Sequence, residues 1–304
     1  MVDLEVSCIP DEFSPEFDEV CEYLQEQNVK YVELRKVWIG NVCEVDRRTL
    51  EDAKDILNDC GLKVSSIAGP LLKCTPPSAN PDPKEQTDYS KNWKYNYSKF
   101  EHILDTADFF DAPYIRVFAY RGENDDEYPW NIPPIDQWDS WQIYKDWSET
   151  VSEFKETAAE RGIMLVCEND SGFNRSLGQI LKIGAEHTGE GFGMLFDTGN
   201  IALHERPGIL TDEALDKVGK YVQYVHAKGV KEDSNGNRRI TIVNSPDGIA
   251  RWPDIVRHFR TMSADNFIAP PPDPLFLSIE THMGKENIWE NSAQSLKNLM
   301  DLVY

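Results

Sequence analysis

Four residues of this sequence have the type and spacing to hold a metal ion: Glu168, Asp197, His226 and Glu280. Each ends a short β-forming run, with Leu-Val-Cys before Glu168, Met-Leu-Phe before Asp197, Tyr-Val before His226 and Leu-Ser-Ile before Glu280. They stand 29, 29 and 54 residues apart, about one strand–helix unit per step, the last lengthened by a long loop. The ends of neighbouring barrel strands would point such side chains at one place above the lumen. Three carboxylates meeting there repel one another and are driven to protonate unless a cation neutralises them. Three carboxylates and one imidazole suit a single divalent ion, Mn²⁺ first, with Mg²⁺, Co²⁺ and Zn²⁺ as alternatives. Taken alone, each residue reads equally well as a salt-bridge partner or a core histidine. Four at successive strand ends point to metal.

The chemistry that fits this set is proton transfer. A bound ion would chelate a carbonyl and an adjacent hydroxyl of a small substrate and acidify the neighbouring C–H. One glutamate would take that proton to give an enediolate. The other, or the same one, would return it to the opposite face or the next carbon. No nicotinamide fingerprint and no Ser or Cys nucleophile pattern offers a competing chemistry.

Softer candidates surround the four. Glu33 and Arg116 end the second and fourth strands and either bind substrate hydroxyls or form a buried pair that braces the barrel. Lys228 either polarises the carbonyl, fixes Glu280 or makes an ordinary salt bridge. Asn169 and Asn200 are candidate hydroxyl donors. Trp38, Trp130 and Trp138 lie in loops and either stack on sugar or pack. His204 and His282 read as structural, and His102, His187 and His258 as surface or packing residues of helices.

The elements that must position these residues alternate along the chain. Strands are expected at Leu4–Ile9, Tyr31–Leu34, Lys63–Ala68, Tyr114–Ala119, Ile163–Glu168, Phe192–Asp197, Tyr221–Lys228 and Phe276–Glu280. Helical patterns follow at Pro15–Gln27, Thr49–Cys60, Tyr95–Phe110, Gln142–Arg161, Arg175–His187, Thr211–Gly219, Trp252–Arg260 and roughly Lys285–Val303. Ser14-Pro15 has the form of a helix start. Gly61 and Gly162 each follow a helix and lead into a strand. Strand–helix alternation implies parallel pairing through right-handed crossovers. Eight repeats in 304 residues predict one α/β domain over 1–304, a (β/α)₈ TIM barrel. The stretches Pro70–Lys91, Arg121–Ser140 and Gly229–Arg251 are long loops after strands, on the C-terminal face where barrels build their sites.

Composition narrows the class further. The net charge of −22, with no basic run, disfavours nucleic acid and anionic lipid. No apolar run is long enough to span a bilayer, and no signal peptide is visible. Six scattered cysteines read as reduced thiols, so a cytoplasmic location is expected.

The stretches Tyr31-Val-Glu33-Leu-Arg35, Ile115-Arg116-Val-Phe118, Cys167-Glu168-Asn169, Phe196-Asp197-Thr-Gly-Asn200, Val225-His226-Ala-Lys228 and Ile279-Glu280 carry a resemblance. The chain resembles the xylose isomerase-like TIM-barrel superfamily in its sugar phosphate isomerase/epimerase branch. That branch also holds ketose 3-epimerases, hydroxypyruvate isomerases and inosose dehydratases. By position, Glu168, Asp197, His226 and Glu280 match the family's metal ligands, and Glu168 and Glu280 its acid/base pair. The resemblance implies a metal-dependent ketose-type isomerase or epimerase, commonly a homo-oligomer, acting on a small sugar. Many relatives have histidine where this chain has Asn200, and His-x-Lys-Asp where it has Gly229. The alternative within the same barrel is the metal-bearing subunit of a two-protein lyase or dehydratase, acting on keto-sugars or oxidised C-glycosides with a small partner subunit. A nuclease of the endonuclease IV type needs several more strand-end histidines and a less acidic surface.

Overall fold

A computed structural model describes residues 1–304 apart from 79–92, 121–131, 171, 206–209, 211 and 284–285. The eight expected strands are all present: β1 (Leu4–Cys8), β2 (Tyr31–Leu34), β3 (Lys63–Leu71), β4 (Tyr114–Phe118), β5 (Met164–Glu168), β6 (Phe192–Asp197), β7 (Val222–Ala227) and β8 (Leu275–Ile279). All pair in parallel, in the order β1-β8-β7-β6-β5-β4-β3-β2. At the remaining seam β1 and β2 touch without a registered ladder, so the barrel is nearly closed. Ser7 on β1 and Ser65 on β3 also share a hydroxyl hydrogen bond of 2.8 Å near that seam.

The strands are buried on both faces, as parallel strands under a helical coat must be. What distinguishes the lumen is its layering. Tyr114, Val166, Leu195, Tyr224 and Phe276 form an apolar plug across the barrel floor. Strand side chains alternate with period two. The residues two positions further along β4 to β7 are therefore Arg116, Glu168, Asp197 and His226, directly above the plug. On β8, Ser278 and then Glu280 follow Phe276 in the same way. The polar ring is thus a geometric consequence of a plug residue at i−2.

The coat consists of α1 (Phe17–Glu26), α2 (Arg47–Asp59), α3 (Trp93–Ser98), α4 (Phe100–Phe110), α5 (Gln142–Glu160), α6 (Leu177–His187), α7 (Thr198–His204), α8 (Asp212–Gly219), α9 (Trp252–Thr261) and α10 (Ile288–Val303). α2 shows the local logic. Asp46 accepts the Thr49 N–H at 2.8 Å, Leu50, Ala53 and Leu57 recur on the buried face, and Gly61 at φ +67° lets the chain turn into β3. Gly162 at φ +72° does the same before β5. Among the described residues no helix is long and apolar enough to cross a membrane. All six cysteines are free and buried.

Several expectations need correction. Ser14 does not cap α1: its Oγ accepts the Glu16 N–H, and the helix begins only at Phe17. The pattern Tyr95–Phe110 is two helices, because Asn96 bonds the Leu72 N–H and the Pro70 carbonyl and ties α3 to the end of β3. The loop 229–251 contains an antiparallel hairpin of Gly229–Glu232 with Arg238–Thr241, and a smaller one joins Lys36–Val37 to Gly40–Asn41. A period-two signal of four residues inside a polar stretch is too short to separate from loop. The bodies of the other two long loops fall largely outside the described residues.

His187, at the end of α6, is buried against Trp147 and Phe192. Burial, with Lys155 nearby, pushes its pKa down to about 4. Its unfolded value is roughly 6.5, so above that pH both states are neutral and its contribution is whole. Between roughly pH 6.5 and 4 only the unfolded chain takes the proton, and stability falls with acid. His187→Gln should flatten that fall, as measured by urea denaturation at pH 7 and pH 4.5.

Candidate metal centre

The four strand-end residues converge as their spacing implied. One donor atom from each of Glu168, Asp197, His226 and Glu280 lies within 4.8 Å of the others, and all four side chains are buried. His226 Nδ1 is 2.9 Å from Glu280 Oε2, 3.5 Å from Glu168 Oε1 and 3.7 Å from Asp197 Oδ2. Three of these buried atoms, His226 Nδ1, Asp197 Oδ2 and Glu280 Oε2, have no hydrogen-bond partner. Buried polar atoms are rarely left so. A cluster of unpartnered donors facing one another fits a cation, and its composition fits a hard or borderline divalent ion.

Glu33 fixes the imidazole from below. Both its oxygens lie 3.0–3.1 Å from His226 Nε2, so this nitrogen carries the proton and Nδ1 is turned toward the carboxylates. Carboxylate–histidine pairs of this kind set the tautomer of metal-binding histidines. Burial opposes a charge on the ring, but Glu33, Glu280 and Glu168 around it raise its pKa well above the ordinary value. Burial likewise works against the Glu33 carboxylate, and His226 more than offsets it, keeping that pKa low.

Backbone contacts hold the carboxylates. Asn169 donates to the Asp197 carbonyl at 2.9 Å and accepts the Asp197 N–H at 2.6 Å, clamping the mouths of β5 and β6 together. Asp197 Oδ1 caps α7 by accepting the Asn200 N–H at 2.8 Å. The Asn200 amide donates to Glu168 Oε1 at 3.2 Å, and Asn174 donates to the Glu168 carbonyl.

Three fixed cations enter the same space. Arg116 Nη1 bridges Glu168 Oε2 at 3.2 Å and Glu280 Oε1 at 3.3 Å, while Nη2 binds the Ala68 carbonyl. Arg35 joins Asp11, Glu12 and Glu280. Lys228 Nζ lies 2.5 Å from Asp197 Oδ2 and 2.7 Å from Glu280 Oε2, in contact but without hydrogen-bond alignment. Burial disfavours ionisation of Asp197 and Glu280, yet Lys228 and His226 together outweigh it and both pKa values are lowered. Side chains therefore supply part of the neutralising charge that the three carboxylates require. The balance still falls short: Asp11, Glu12, Glu33, Glu168, Asp197 and Glu280 outnumber the permanent cations Arg35, Arg116 and Lys228, even with the His226 imidazole among them.

Some assignments change. Glu33 and Asn169 are buried with their polar atoms bonded to His226 and Asp197. Arg116 bonds to Glu168 and Glu280, and the expected bracing pair with Glu33 gives way to Glu33–His226. Of the five substrate candidates only Asn200 is partly open. Trp138 is fully buried and donates to the Pro133 carbonyl, and Trp38 packs on Phe17; Trp130 lies outside the described residues. His282, expected to be structural, sits beside the centre. Glu12 accepts both its backbone N–H at 2.7 Å and a ring contact at Nδ1 of 2.8 Å, leaving Nε2 half-exposed and 3.5 Å from Glu280 Oε1. Burial would raise the Glu12 pKa, but His282 and Arg35 hold it down at about 2. Arg35 was marked only as part of a resembling stretch and Glu12 not at all, although each lies past the end of a barrel strand.

The model of the family described as xylose isomerase-like TIM barrel matches residues 21–299. Solved structures share the fold at low identity. A xylose isomerase-like TIM-barrel protein from Mycobacterium smegmatis, in complex with magnesium, is 16% identical, with a TM-score of 0.65 covering 100% of this chain and 98% of the other. A probable 3-DHS dehydratase from Bacillus anthracis is 16% identical, with a TM-score of 0.67 over 97% and 98%. The 3-keto-D-glucoside 4-epimerase of E. coli is 15% identical, with a TM-score of 0.65 over 99% and 100%. At such identities the likeness is one of fold. No curated protein matches the sequence.

The Glu33–His226 pair makes a stability prediction. Glu33→Leu strands a buried imidazole N–H among carboxylates and should cost about 3–5 kcal/mol. Glu33→Gln, which keeps an acceptor, should cost about 1–2 kcal/mol less than that. Urea denaturation of both variants gives the comparison.

Proposed function

The chain belongs to the xylose isomerase-like TIM-barrel family, and on that premise we propose that it is a divalent-metal-dependent isomerase or epimerase of a ketose-type sugar. The observation that carries this reading is the convergence of three buried donor atoms without hydrogen bonds, from Asp197, His226 and Glu280, together with Glu168, which shares one guanidinium nitrogen with Glu280. Glu168, Asp197, His226 and Glu280 would hold the ion, for which Mn²⁺ and Mg²⁺ are the first candidates. When bound, it supplies Lewis-acid polarisation of a substrate carbonyl.

The chain's own residues supply the rest. Arg116 Nη1 contacts both Glu168 Oε2 and Glu280 Oε1, so the two carboxylates keep a fixed separation across the reacting carbons. One removes the proton next to the carbonyl and the other returns it, the arrangement needed for transfer between faces or carbons. The plug of Tyr114, Val166, Leu195, Tyr224 and Phe276 closes the floor, so substrate enters and leaves through the mouth. Asn200, partly open and bonded to Glu168, is the residue placed to meet a hydroxyl.

One observation favours a second reading, a lyase or dehydratase. The His282 ring, aimed by Glu12 and half-exposed beside Glu280, places an imidazole next to the two glutamates at the mouth, where a departing hydroxyl would need an acid/base group. The panel below separates the two, because elimination yields an unsaturated product.

The test is metal analysis followed by incubation of the metal-loaded protein in D₂O with ketohexoses and 3-keto-glucosides. Deuterium should enter the carbon next to the carbonyl, with an isomeric or epimeric product. Glu280→Gln and Glu168→Gln should each lower exchange about 10²–10⁴-fold. Exchange unaffected by chelation or by Glu280→Gln would overturn the mechanism.

A further inference from the structure

We propose that Lys228 is a tethered rival of the metal: its ammonium and a divalent ion draw on the same two carboxylate oxygens, so Lys228 limits how tightly the centre holds its ion. This rests on the metal-binding reading above and adds what opposes it.

The contact is specific. Nζ meets one oxygen of Asp197 and one of Glu280, Oδ2 and Oε2. These are two of the three buried atoms that converge without hydrogen bonds, and the third is His226 Nδ1. A lysine that merely braced the barrel would need only one carboxylate, on an oxygen turned away from the donor cluster.

The surroundings are shaped to admit this side chain. Gly199 packs against its stem, where an added Cβ would fall 2.5 Å from Lys228 Cβ and 2.8 Å from Cδ. No larger residue fits there without moving the lysine. The backbone beneath is fixed, because Thr198 Oγ1 and Trp252 Nε1 both donate to the Lys228 carbonyl. Only the side-chain torsions are left free. A flexible four-carbon stem allows the ammonium to withdraw without disturbing the strand.

A nucleophilic role fits the site poorly. Nζ lies against two carboxylate oxygens, Asp197 Oδ2 and Glu280 Oε2, and so is engaged as an ion-pair partner. The group acts as a positive charge, and two cations cannot share two oxygens in a buried site without mutual repulsion.

Calorimetric titration of MnCl₂ into wild type, Lys228→Met and Lys228→Arg tests the proposal. Lys228→Met should bind Mn²⁺ at least about tenfold tighter, since a competing charge is gone. Its melting temperature without added metal should fall, because two buried carboxylates lose their partner. Lys228→Arg, which keeps the charge, should not gain affinity. Equal or weaker binding by folded Lys228→Met would overturn the proposal while leaving the metal-dependent reading intact. Absence of Mn²⁺ binding by both wild type and Lys228→Met would overturn both. If Lys228→Met does not fold, a crystal structure of Mn²⁺-loaded wild type decides: the ammonium should have left at least one oxygen, and contact with both would refute the rivalry.

Discussion

Burying several carboxylates above an apolar floor is the constraint on which the rest of this structure depends. The plug keeps water from reaching the charges from below, and each acid must find its partner within the ring. This accounts for residues whose roles otherwise look unrelated. Arg116 spans two glutamates, Lys228 spans an aspartate and a glutamate, and Glu33 is matched to the imidazole. Even Asn169, which carries no charge, holds the Asp197 backbone so that the aspartate cannot relax away from its neighbours. With six carboxylates around three permanent cations, the ring retains a negative excess that a divalent ion would reduce.

The barrel was legible because its signals are local and repeated. Short β-rich runs alternate with amphipathic helices, and glycines such as Gly61 and Gly162 mark the returns. The four converging residues were legible because each stands at a strand end, where a closed parallel barrel leaves little freedom of direction. Their wiring was not. An asparagine after a strand reads the same whether its amide meets a ligand or a neighbouring backbone, and only the registration of β5 against β6 decides for Asn169. Glu33 and Arg116 lie on strands that are not adjacent, so their true partners, on β7, β5 and just past β8, follow from closure of the ring. The place of His282 beside the centre was not legible because nothing in its own sequence neighbourhood announces Glu12, which arrives from the other end of the chain.

Asn200 ties the rim of the site to its acids. Its amide reaches Glu168 while Asp197 Oδ1 accepts its backbone N–H, so one residue orients an acid of the cluster and still presents a partly open side chain at the mouth.

Gly229 has a different kind of consequence. Any Cβ there would fall 2.1 Å from the Ile242 carbonyl oxygen, because the returning arm of the hairpin packs directly on it. An aspartate at this position and the present course of residue 242 are mutually exclusive. Gly229 and the course of the returning arm are thus a single constraint: any side chain here would push residue 242 aside, and with it the hairpin that follows Lys228.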